Sequence, residues 1–216
     1  MKPKALGRLW PALLLMVPAL GMAGDLQPVP LPAPQRHGGM PLMEALSARH
    51  SSREFSPRPL PPQVLSNLLW AAFGINRPGS GGRTAPSAHN WQEITVFLAT
   101  ADGLYRYDPH NNRMEPVLDR DIRALTGTQD FVASAPLDLI YVADLDAMKG
   151  AGDQDRLLYS SADTGFIAQN VYLYCASAGL NVVVRGSIDR RALAKAMGLG
   201  QGQRVVLSQT VGFPKP

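Results

Sequence analysis

Apolar residues follow two kinds of pattern along the chain, one typical of helices and one typical of strands. The helical pattern is clearest between Pro61 and Phe73, where apolar side chains recur at intervals of three and four residues. Paired prolines suit the first turn of this helix, and Gly74 suits its end. A longer helical stretch is apolar on most sides after Phe166, which predicts a central position in the fold. The predicted helices span residues 41–48, 61–73, 156–178 and 189–197, with two helical pieces within 120–134.

Short apolar runs rich in β-branched and aromatic residues predict the strands. They cover residues 93–99, 104–108, 137–143, 181–185 and 204–211. Asp102 and Gly103 form a turn signal between the first two of these strands. Strands and helices do not alternate strictly along the chain, and this order favours an α+β three-layer sandwich over a doubly wound fold.

The first 23 residues have the pattern of a signal peptide. Residues 1–8 are basic, residues 9–20 form an apolar run, and Gly21 and Ala23 place small residues before a cleavage site. The run is shorter than the roughly 20 residues of a membrane span, and an uncleaved N-terminal anchor is the alternative. We therefore expect a periplasmic or secreted protein with no stable membrane span after cleavage. Residues 24–39, rich in proline and glycine, predict an extended linker before a single domain over residues 40–216.

Charge and composition exclude several classes of protein. The chain of 216 residues carries a net charge of +4, but Lys2, Lys4 and Arg8 supply most of that excess. The remainder is close to neutral, so we expect no nucleic-acid partner. Cys175 is the only cysteine, which excludes a disulfide scaffold. The four histidines lack the spacing of metal ligands, so no metal site is predicted.

Arg49 and Arg53 flank a polar segment that suits a phosphate dianion. Each guanidinium can bind phosphate through two parallel hydrogen bonds, and the hydroxyl of Ser51 between them adds a neutral donor. The alternative is a solvated polar turn before Pro57.

A second polar segment, residues 84–92, lies between a glycine-rich stretch and a predicted strand. Its small residues allow the backbone to approach a flat ligand closely. Asn90 and Gln92 carry donors and acceptors that could pair with an amide edge. The alternative is a simple connection from loop to strand.

These two segments and three later ones occur in the order in which the FMN-dependent nitroreductase superfamily carries its motifs. Over residues 42–215 the chain resembles that superfamily, and it is similar to the thiazole/oxazole dehydrogenase-like branch. The motifs that carry the resemblance are Arg49-x-Ser51-x-Arg53 with Phe55, Pro86-Ser87-x-x-Asn90-x-Gln92, Gln169-Asn170 with Ala178-Gly179-Leu180, Val184-Arg185-Gly186, and the closing Gly212-Phe213-Pro214-Lys215.

The resemblance implies a mixed, mainly antiparallel central sheet and a homodimer with two FMN sites at its interface. It also implies that FMN performs the hydride chemistry while the protein binds and orients it, so no side chain is assigned as an acid or base. The implied phosphate ligands are Arg49, Ser51, Arg53 and Lys215, with the backbone of His50 against the flavin or its ribityl chain. The implied ring contacts are Pro86, Ser87, Ala88 and Asn90 of the partner subunit, the strand end at Arg185 with the backbone N–H of Gly186 near flavin N5, and Gln129 at the pyrimidine edge.

The function that follows is an exported FMN-dependent oxidoreductase. It would pass electrons from a reduced donor such as NAD(P)H to a small organic acceptor such as a nitroaromatic or a quinone. A thiazole/oxazole-type dehydrogenase and a flavin-binding protein without turnover are the alternatives. Those dehydrogenases use a Lys-Tyr pair ahead of the central helix, whereas here Lys149 is followed by Gly150 and Tyr159 stands alone. A third hypothesis, an interaction module that has lost its cofactor, conflicts with the presence of Arg49 and Asn90.

Overall fold

Seven strands form the central sheet, in a structure that is a computed structural model and describes residues 26–216. The predicted signal peptide, residues 1–23, lies outside the described residues. The strands are β1 (Val29–Pro30), β2 (Ile75–Arg77), β3 (Gly82–Arg83), β4 (Ile94–Ala99), β5 (Leu104–Asp108), β6 (Arg113–Leu118), β7 (Leu137–Asp144), β8 (Asn181–Arg185) and β9 (Gln203–Gly212). The helices are α1 (Leu42–Ala48), α2 (Pro62–Phe73), α3 (Asp153–Ala178) and α4 (Arg190–Met197). Short 3-10 turns cover Ala88–Asn90, Arg123–Leu125 and Asp130–Ala133.

The sheet has the strand order β1-β6-β5-β4-β7-β9-β8, and β2 and β3 form a separate hairpin. The predicted turn at Asp102 and Gly103 joins β4 to β5, with Ala99 opposite Leu104. Each strand pair within residues 26–216 is antiparallel. In this part of the chain the sheet is therefore fully antiparallel rather than mixed.

Alternate residues of the central strands face two separate cores. On β4, Leu98 packs in a core with residues of α2 and α3, whereas Phe97 packs in a second core with residues of α4. On β7, Leu139 and Ile140 divide in the same way. This division follows from the two-residue period of a strand. Helices thus cover both faces of the sheet, and the predicted α+β three-layer sandwich is confirmed.

Local end signals place the helices close to their predicted positions. Asp189 caps α4, because its Oδ1 accepts a hydrogen bond from the Ala192 backbone N–H at 3.0 Å. The central helix α3 ends at Gly179, whose φ of 66° lies in the left-handed region that glycine adopts without strain. No helix among residues 26–216 combines the length and the apolar character that a membrane span needs.

The proline-rich segment before α1 packs on the domain, so the prediction of an extended linker over residues 24–39 is wrong for its described part. Val29 pairs with Met114 of β6. The carbonyl of Pro32 accepts a hydrogen bond from Ser66 Oγ on α2 at 2.5 Å. Prolines keep their carbonyl acceptors but have no N–H, so donors from α2 can satisfy the segment without a full strand partner. Residues 26–39 are therefore part of the domain.

Two further segments differ from their predictions. Residues 113–118 form β6. The sequence does not predict this strand, because Pro116 and charged residues interrupt its apolar pattern. Residues 120–134 contain the two predicted helical pieces, but as short 3-10 helices, Arg123–Leu125 and Asp130–Ala133. In the first of them the Leu125 backbone N–H donates to the Ile122 carbonyl at 2.9 Å, three residues earlier.

Candidate functional site

The segment that carries Arg49 and Arg53 is bonded to β8 and to the residue that follows β9. The backbone N–H of Ser52 donates to the Val182 carbonyl at 2.9 Å, and that of Ser56 donates to the Phe213 carbonyl at 2.8 Å. These two bonds hold the segment in an extended course that presents its polar side chains in order. The second bond also places Phe213, two positions before Lys215, against the same segment.

Ser51 is joined to the centre of the fold through Tyr172 of α3. The Ser51 Oγ lies 2.8 Å from the Tyr172 hydroxyl, which accepts a hydrogen bond from the Val184 backbone N–H at 2.9 Å. A hydroxyl both donates and accepts, so either Ser51 or Tyr172 can be the donor of the bond between them. The Ser51 hydroxyl is exposed, so it can donate to an acceptor outside the protein when Tyr172 is the donor.

The positive charges around Ser51 are not neutralised by carboxylates. The guanidinium of Arg49 lies over the Tyr172 ring, 5.4 Å from its centroid. Neither Arg49 nor Arg53 forms an ion pair with a carboxylate of residues 26–216. Lys215 is exposed beyond Phe213. Arg49 and Arg53 therefore flank the Ser51 hydroxyl along the segment without a carboxylate partner, and this donor set suits a phosphate dianion.

His50 does not add its ring to this group of donors. Its Nδ1 lies 2.9 Å from the carbonyl of Ala48, the last residue of α1. The imidazole is thus used for a local contact at the end of the helix. This contact leaves the implied role of the His50 backbone untested.

The second polar segment is a tight turn packed on α3. His89, Asn90 and Gln92 all have φ near 50°, a left-handed conformation that is costly for residues other than glycine. The backbone N–H of Ala88 donates to Asp163 Oδ2 at 2.9 Å. The Ser87 Oγ accepts the Gln92 backbone N–H at 2.8 Å. These bonds from outside and within the turn maintain its strained shape.

Gln92 has a structural role, so the expectation that its amide is available to a ligand is wrong. Its Oε1 accepts from Arg83 Nε at 2.8 Å, and its Nε2 donates to the Gly81 carbonyl and to Asn90 Oδ1. Both N–H donors of that amide group are therefore engaged, and its oxygen already accepts one hydrogen bond. Asn90 is exposed, and its Nδ2 has no hydrogen-bond partner among residues 26–216, so its amide N–H donors remain available.

The two polar segments contact opposite edges of the same helix. Asp163 holds the second segment, Tyr172 holds the first, and both side chains belong to the buried stripe of α3. Nine residues turn an α-helix by about two and a half turns and advance it by about 14 Å. Within one chain the two segments are therefore separated along α3 and placed on opposite sides of its buried stripe.

Arg185 is buried and does not offer its guanidinium to a ligand. Its Nη2 lies 2.7 Å from Asp138 Oδ1, and its Nη1 donates to the Thr126 carbonyl at 2.8 Å. Gly186, which follows it, is exposed. The side chain of Arg185 therefore anchors the end of β8 from the interior, while the backbone of Gly186 is at the surface.

Gln129 lies beside this buried cation. A Cβ atom added to Gly127 would collide with Arg185 Nη1 and crowd Gln129 Oε1, so glycine is needed at that position. The Gln129 Oε1 atom is buried and has no hydrogen-bond partner among residues 26–216. A buried carbonyl oxygen without a donor carries a desolvation cost, so this atom is open to a ligand donor or a water molecule.

Comparison with known proteins identifies the family of the chain. The Nitroreductase family profile matches residues 46–213. The chain belongs to the Nitroreductase family. A Methanocaldococcus jannaschii protein named "putative nitroreductase" is 30% identical over 174 residues, which cover 76% of this chain and 86% of the relative. A crystal structure from Ralstonia eutropha JMP134 with the same description superposes with a TM-score of 0.85 at 45% identity, covering 100% of both chains.

The chain also shares its fold with a more distant protein. The NADPH:FMN oxidoreductase of Vibrio harveyi, solved in complex with NAD+, superposes with a TM-score of 0.60 at 21% identity. The alignment covers 81% of this chain and 69% of that one. Membership of the Nitroreductase family supports a nitroreductase-like oxidoreductase, and this neighbour shows the shared fold.

Three residues of the nitroreductase site are not identified from the sequence. Tyr172 and Asp163 lie in an apolar helix, where a tyrosine or a single acid has no motif of its own. Glu93 starts a strand, and it is 2% exposed although it is charged in its ordinary state. The only signal for these residues is a polar side chain among buried apolar positions, which suggests a role in a site but does not indicate the partner.

Proposed function

We propose that the protein is an FMN-dependent oxidoreductase, and the observation that carries the proposal is the pair of hydroxyls of Ser51 and Tyr172. When Tyr172, which accepts a hydrogen bond from Val184, donates to Ser51, the Ser51 proton is free for a ligand. Arg49 and Arg53 add positive charge that no carboxylate of residues 26–216 neutralises. This donor set fits the terminal phosphate of FMN.

The residues of the chain bind and orient the cofactor, and FMN when bound supplies the hydride chemistry. Arg49, Ser51, Arg53 and Lys215 hold the phosphate, with the guanidinium groups acting as planar donors. Asn90 offers its free amide N–H donors at the ring end. The exposed backbone of Gly186, which has no side chain, allows the flavin to approach closely. Gln129 Oε1 is the buried acceptor at the pyrimidine edge.

We place each flavin between two copies of the chain. The separation of the two polar segments along α3 supports this arrangement, because one flavin contacts both segments most simply when they come from different chains. Exposed apolar residues support it as well. Leu42 and Met43 of α1 are 62% and 75% exposed, and Phe166 of α3 is 47% exposed. Large apolar side chains at the surface of neighbouring helices are typical of a protein–protein interface.

The electron donor in this proposal is NAD(P)H, and the acceptor is a nitroaromatic or a quinone. The first test is the absorbance of the purified protein, which bound flavin makes yellow. Anaerobic addition of NADH, NADPH or a small dithiol should then bleach this absorbance, and a nitroaromatic or quinone should restore it. A colourless protein that binds no added FMN would contradict the cofactor. A yellow protein that no donor bleaches would indicate a flavin carrier instead.

Export is part of the same proposal and rests on the sequence of residues 1–23 alone. Cleavage after Ala23 would give a mature chain that begins at Gly24, in the periplasm or outside the cell. The intact mass of protein from the envelope fraction tests this. A full-length species confined to the cytosol would contradict export without affecting the proposed chemistry.

A further inference from the structure

Two buried acidic side chains contact adjacent residues of the second polar segment, Glu93 at Ser87 and Asp163 at Ala88. Glu93, which directly precedes β4, and Asp163 in α3 are each 2% exposed. No Lys, Arg or His of residues 26–216 forms an ion pair with either of them. Two buried carboxylates without a cation are too costly to be charged together, so such a pair retains a proton.

The hydrogen bonds of the pair distribute the charge unevenly. Asp163 Oδ2 accepts the Ala88 backbone N–H at 2.9 Å, a bond that favours the ionised form. Glu93 Oε1 is buried and receives no hydrogen bond from a donor of residues 26–216, and its Oε2 lies 3.2 Å from Ser87 Oγ. Glu93 is thus the acid that the surroundings favour in its neutral form.

Several titratable groups face Glu93 from the elements around it. Burial, and then the charge and hydrogen bond of Asp163, raise the pKa of Glu93, whereas its own backbone and Ser87 lower it. Asp144 of β7 donates its backbone N–H to the Glu93 carbonyl at 2.9 Å. His89 and Tyr159 lie over the outer side of the segment, with ring centroids 5.9 Å apart. Asp163 is the member of this group that acts on Glu93 by charge.

The protonation state of Glu93 decides what Ser87 can donate. Ser87 Oγ already accepts the Gln92 backbone N–H, and a serine hydroxyl has a single proton. If Glu93 is ionised, the Ser87 proton is donated inward to it. If Glu93 is protonated on Oε2, it donates to Ser87, and the Ser87 proton is free to point out of the segment.

We propose that Glu93 retains a proton on Oε2 beside Asp163, and that this proton makes the Ser87 hydroxyl an outward donor to the ligand of the second segment. Glu93 is therefore a positioning residue that acts through Ser87. The ligand-facing half of this inference rests on the proposed function. The proton held by Glu93 does not, because it belongs to the chain without a ligand.

The proton is tested first, on the full chain without flavin. Infrared difference spectra between the wild type and Glu93→Gln at pH 7 should contain the carbonyl band of a protonated carboxylic acid. Asp119→Asn, an exposed acid-to-amide change, is the matched control and should show no such band. A difference spectrum with only carboxylate bands would overturn the proposal.

Stability supplies a second measurement on the same proteins. A carboxyl group whose folded pKa is raised binds more protons in the folded chain, so stability falls as pH rises above the ordinary pKa of Glu. The urea midpoint of the wild type should therefore fall between pH 5 and pH 8 relative to that of Glu93→Gln. Asp119→Asn should follow the wild type. Parallel profiles for the wild type and Glu93→Gln would contradict a retained proton.

The ligand arm measures FMN affinity against pH in the wild type, Glu93→Gln and Ser87→Ala. Glutamine can donate permanently to Ser87, so the ratio of the Glu93→Gln affinity to that of the wild type should grow about 3- to 10-fold as Glu93 ionises, the effect of one neutral hydrogen bond. The FMN phosphate titrates near pH 6 in all three proteins, which is why the ratio is the readout. Ser87→Ala should remove the pH-dependent difference. A constant ratio would overturn the role of Ser87, whereas failure of every protein to bind FMN, with the infrared band present, would contradict the proposed function alone.

Discussion

The Nη2 atom of Arg185 lies 2.7 Å from Oδ1 of Asp138, and the two side chains are only 3% and 0% exposed. Burial lowers the pKa of Arg185 and raises the pKa of Asp138 to about 6. Both directions disfavour the charged form, so desolvation outweighs the mutual attraction of the pair. The pair is thus weak evidence for net stability, and its effect is to hold the end of β8 at Gly186.

Removing one partner of the pair should destabilise the fold more than replacing both partners. Asp138→Ala leaves the Arg185 guanidinium buried without its partner, so we expect a loss of about 3–5 kcal/mol in the free energy of unfolding. Asp138→Leu combined with Arg185→Met should recover most of that loss, because no buried charge remains. Urea unfolding of the wild type, the single variants and the double variant gives the coupling energy. Additive losses would show that the two side chains act separately.

Asp138 also predicts a pH dependence with a definite sign. Its folded pKa of about 6 lies above the ordinary value, so the folded chain binds more protons than the unfolded chain between the two values. The free energy of unfolding should therefore fall as pH rises toward 6, by at most about 1.4 kcal/mol per pH unit, and level off above it. Asp138→Asn lacks this titration. A slope that is the same in Asp138→Asn would assign the pH dependence to other groups.

Tyr172→Phe should weaken FMN binding and the fold together. The change removes the partner of Ser51 and leaves the Val184 backbone N–H without its acceptor, which costs about 1–3 kcal/mol of stability. Tyr174→Phe is the matched control on the same helix, because the Tyr174 hydroxyl contacts the Val64 carbonyl at 3.4 Å rather than Ser51 or Val184. FMN titration should show a loss of affinity for Tyr172→Phe alone. Equal losses in both variants would indicate a general effect on α3.

The proposed phosphate ligands predict that FMN affinity depends on the guanidinium group of each arginine as well as on its charge. Replacing Arg49 or Arg53 by Ala should cost about 1.5–3 kcal/mol of FMN binding, the range for hydrogen bonds to charged groups. This corresponds to a loss of affinity of roughly 10- to 150-fold. Arg53→Lys should restore only part of the affinity, because an ammonium group cannot form two parallel hydrogen bonds. Unchanged affinity in both Ala variants would move the phosphate to another site.

Local signals account for what the sequence predicts of the fold. Asp189, Gly74 and Gly179 mark helix ends through interactions within a few residues, and the helices are correct to within three residues. The strand around Pro116 is missed because its pairing with β5 outweighs a weak local preference. The packing of residues 26–39 is missed because it depends on donors from α2, which no local pattern includes.

The same distinction applies to the site. Arg49, Ser51 and Arg53 can be predicted as phosphate ligands because they share one short segment. Tyr172 is separated from Ser51 by 121 positions, and its role depends on Val184 as well. Predicting it would require the fold, since a tyrosine in an apolar helix is most simply a core residue.

The shared site makes the sharpest prediction, because it tests the dimer and the cofactor site together. We expect a homodimer of about 42 kDa after removal of the signal peptide, a closed two-fold assembly being the commonest form. Arg49→Ala damages the phosphate end, and Asn90→Ala damages the ring end. If each flavin lies between two chains, a heterodimer of the two variants has one site with both defects and one site with none.

Mixing and refolding the two variants should therefore restore FMN binding at one of the two sites of each heterodimer. Homodimers of either variant should remain weak, and they serve as controls. Flavin should also raise the stability of the restored heterodimer, since a ligand that binds only the dimer stabilises it by mass action. If heterodimers verified by mass bind no more FMN than the homodimers do, Arg49 and Asn90 serve the same chain's flavin. The separation of the two segments along α3 would then have to be bridged within one subunit.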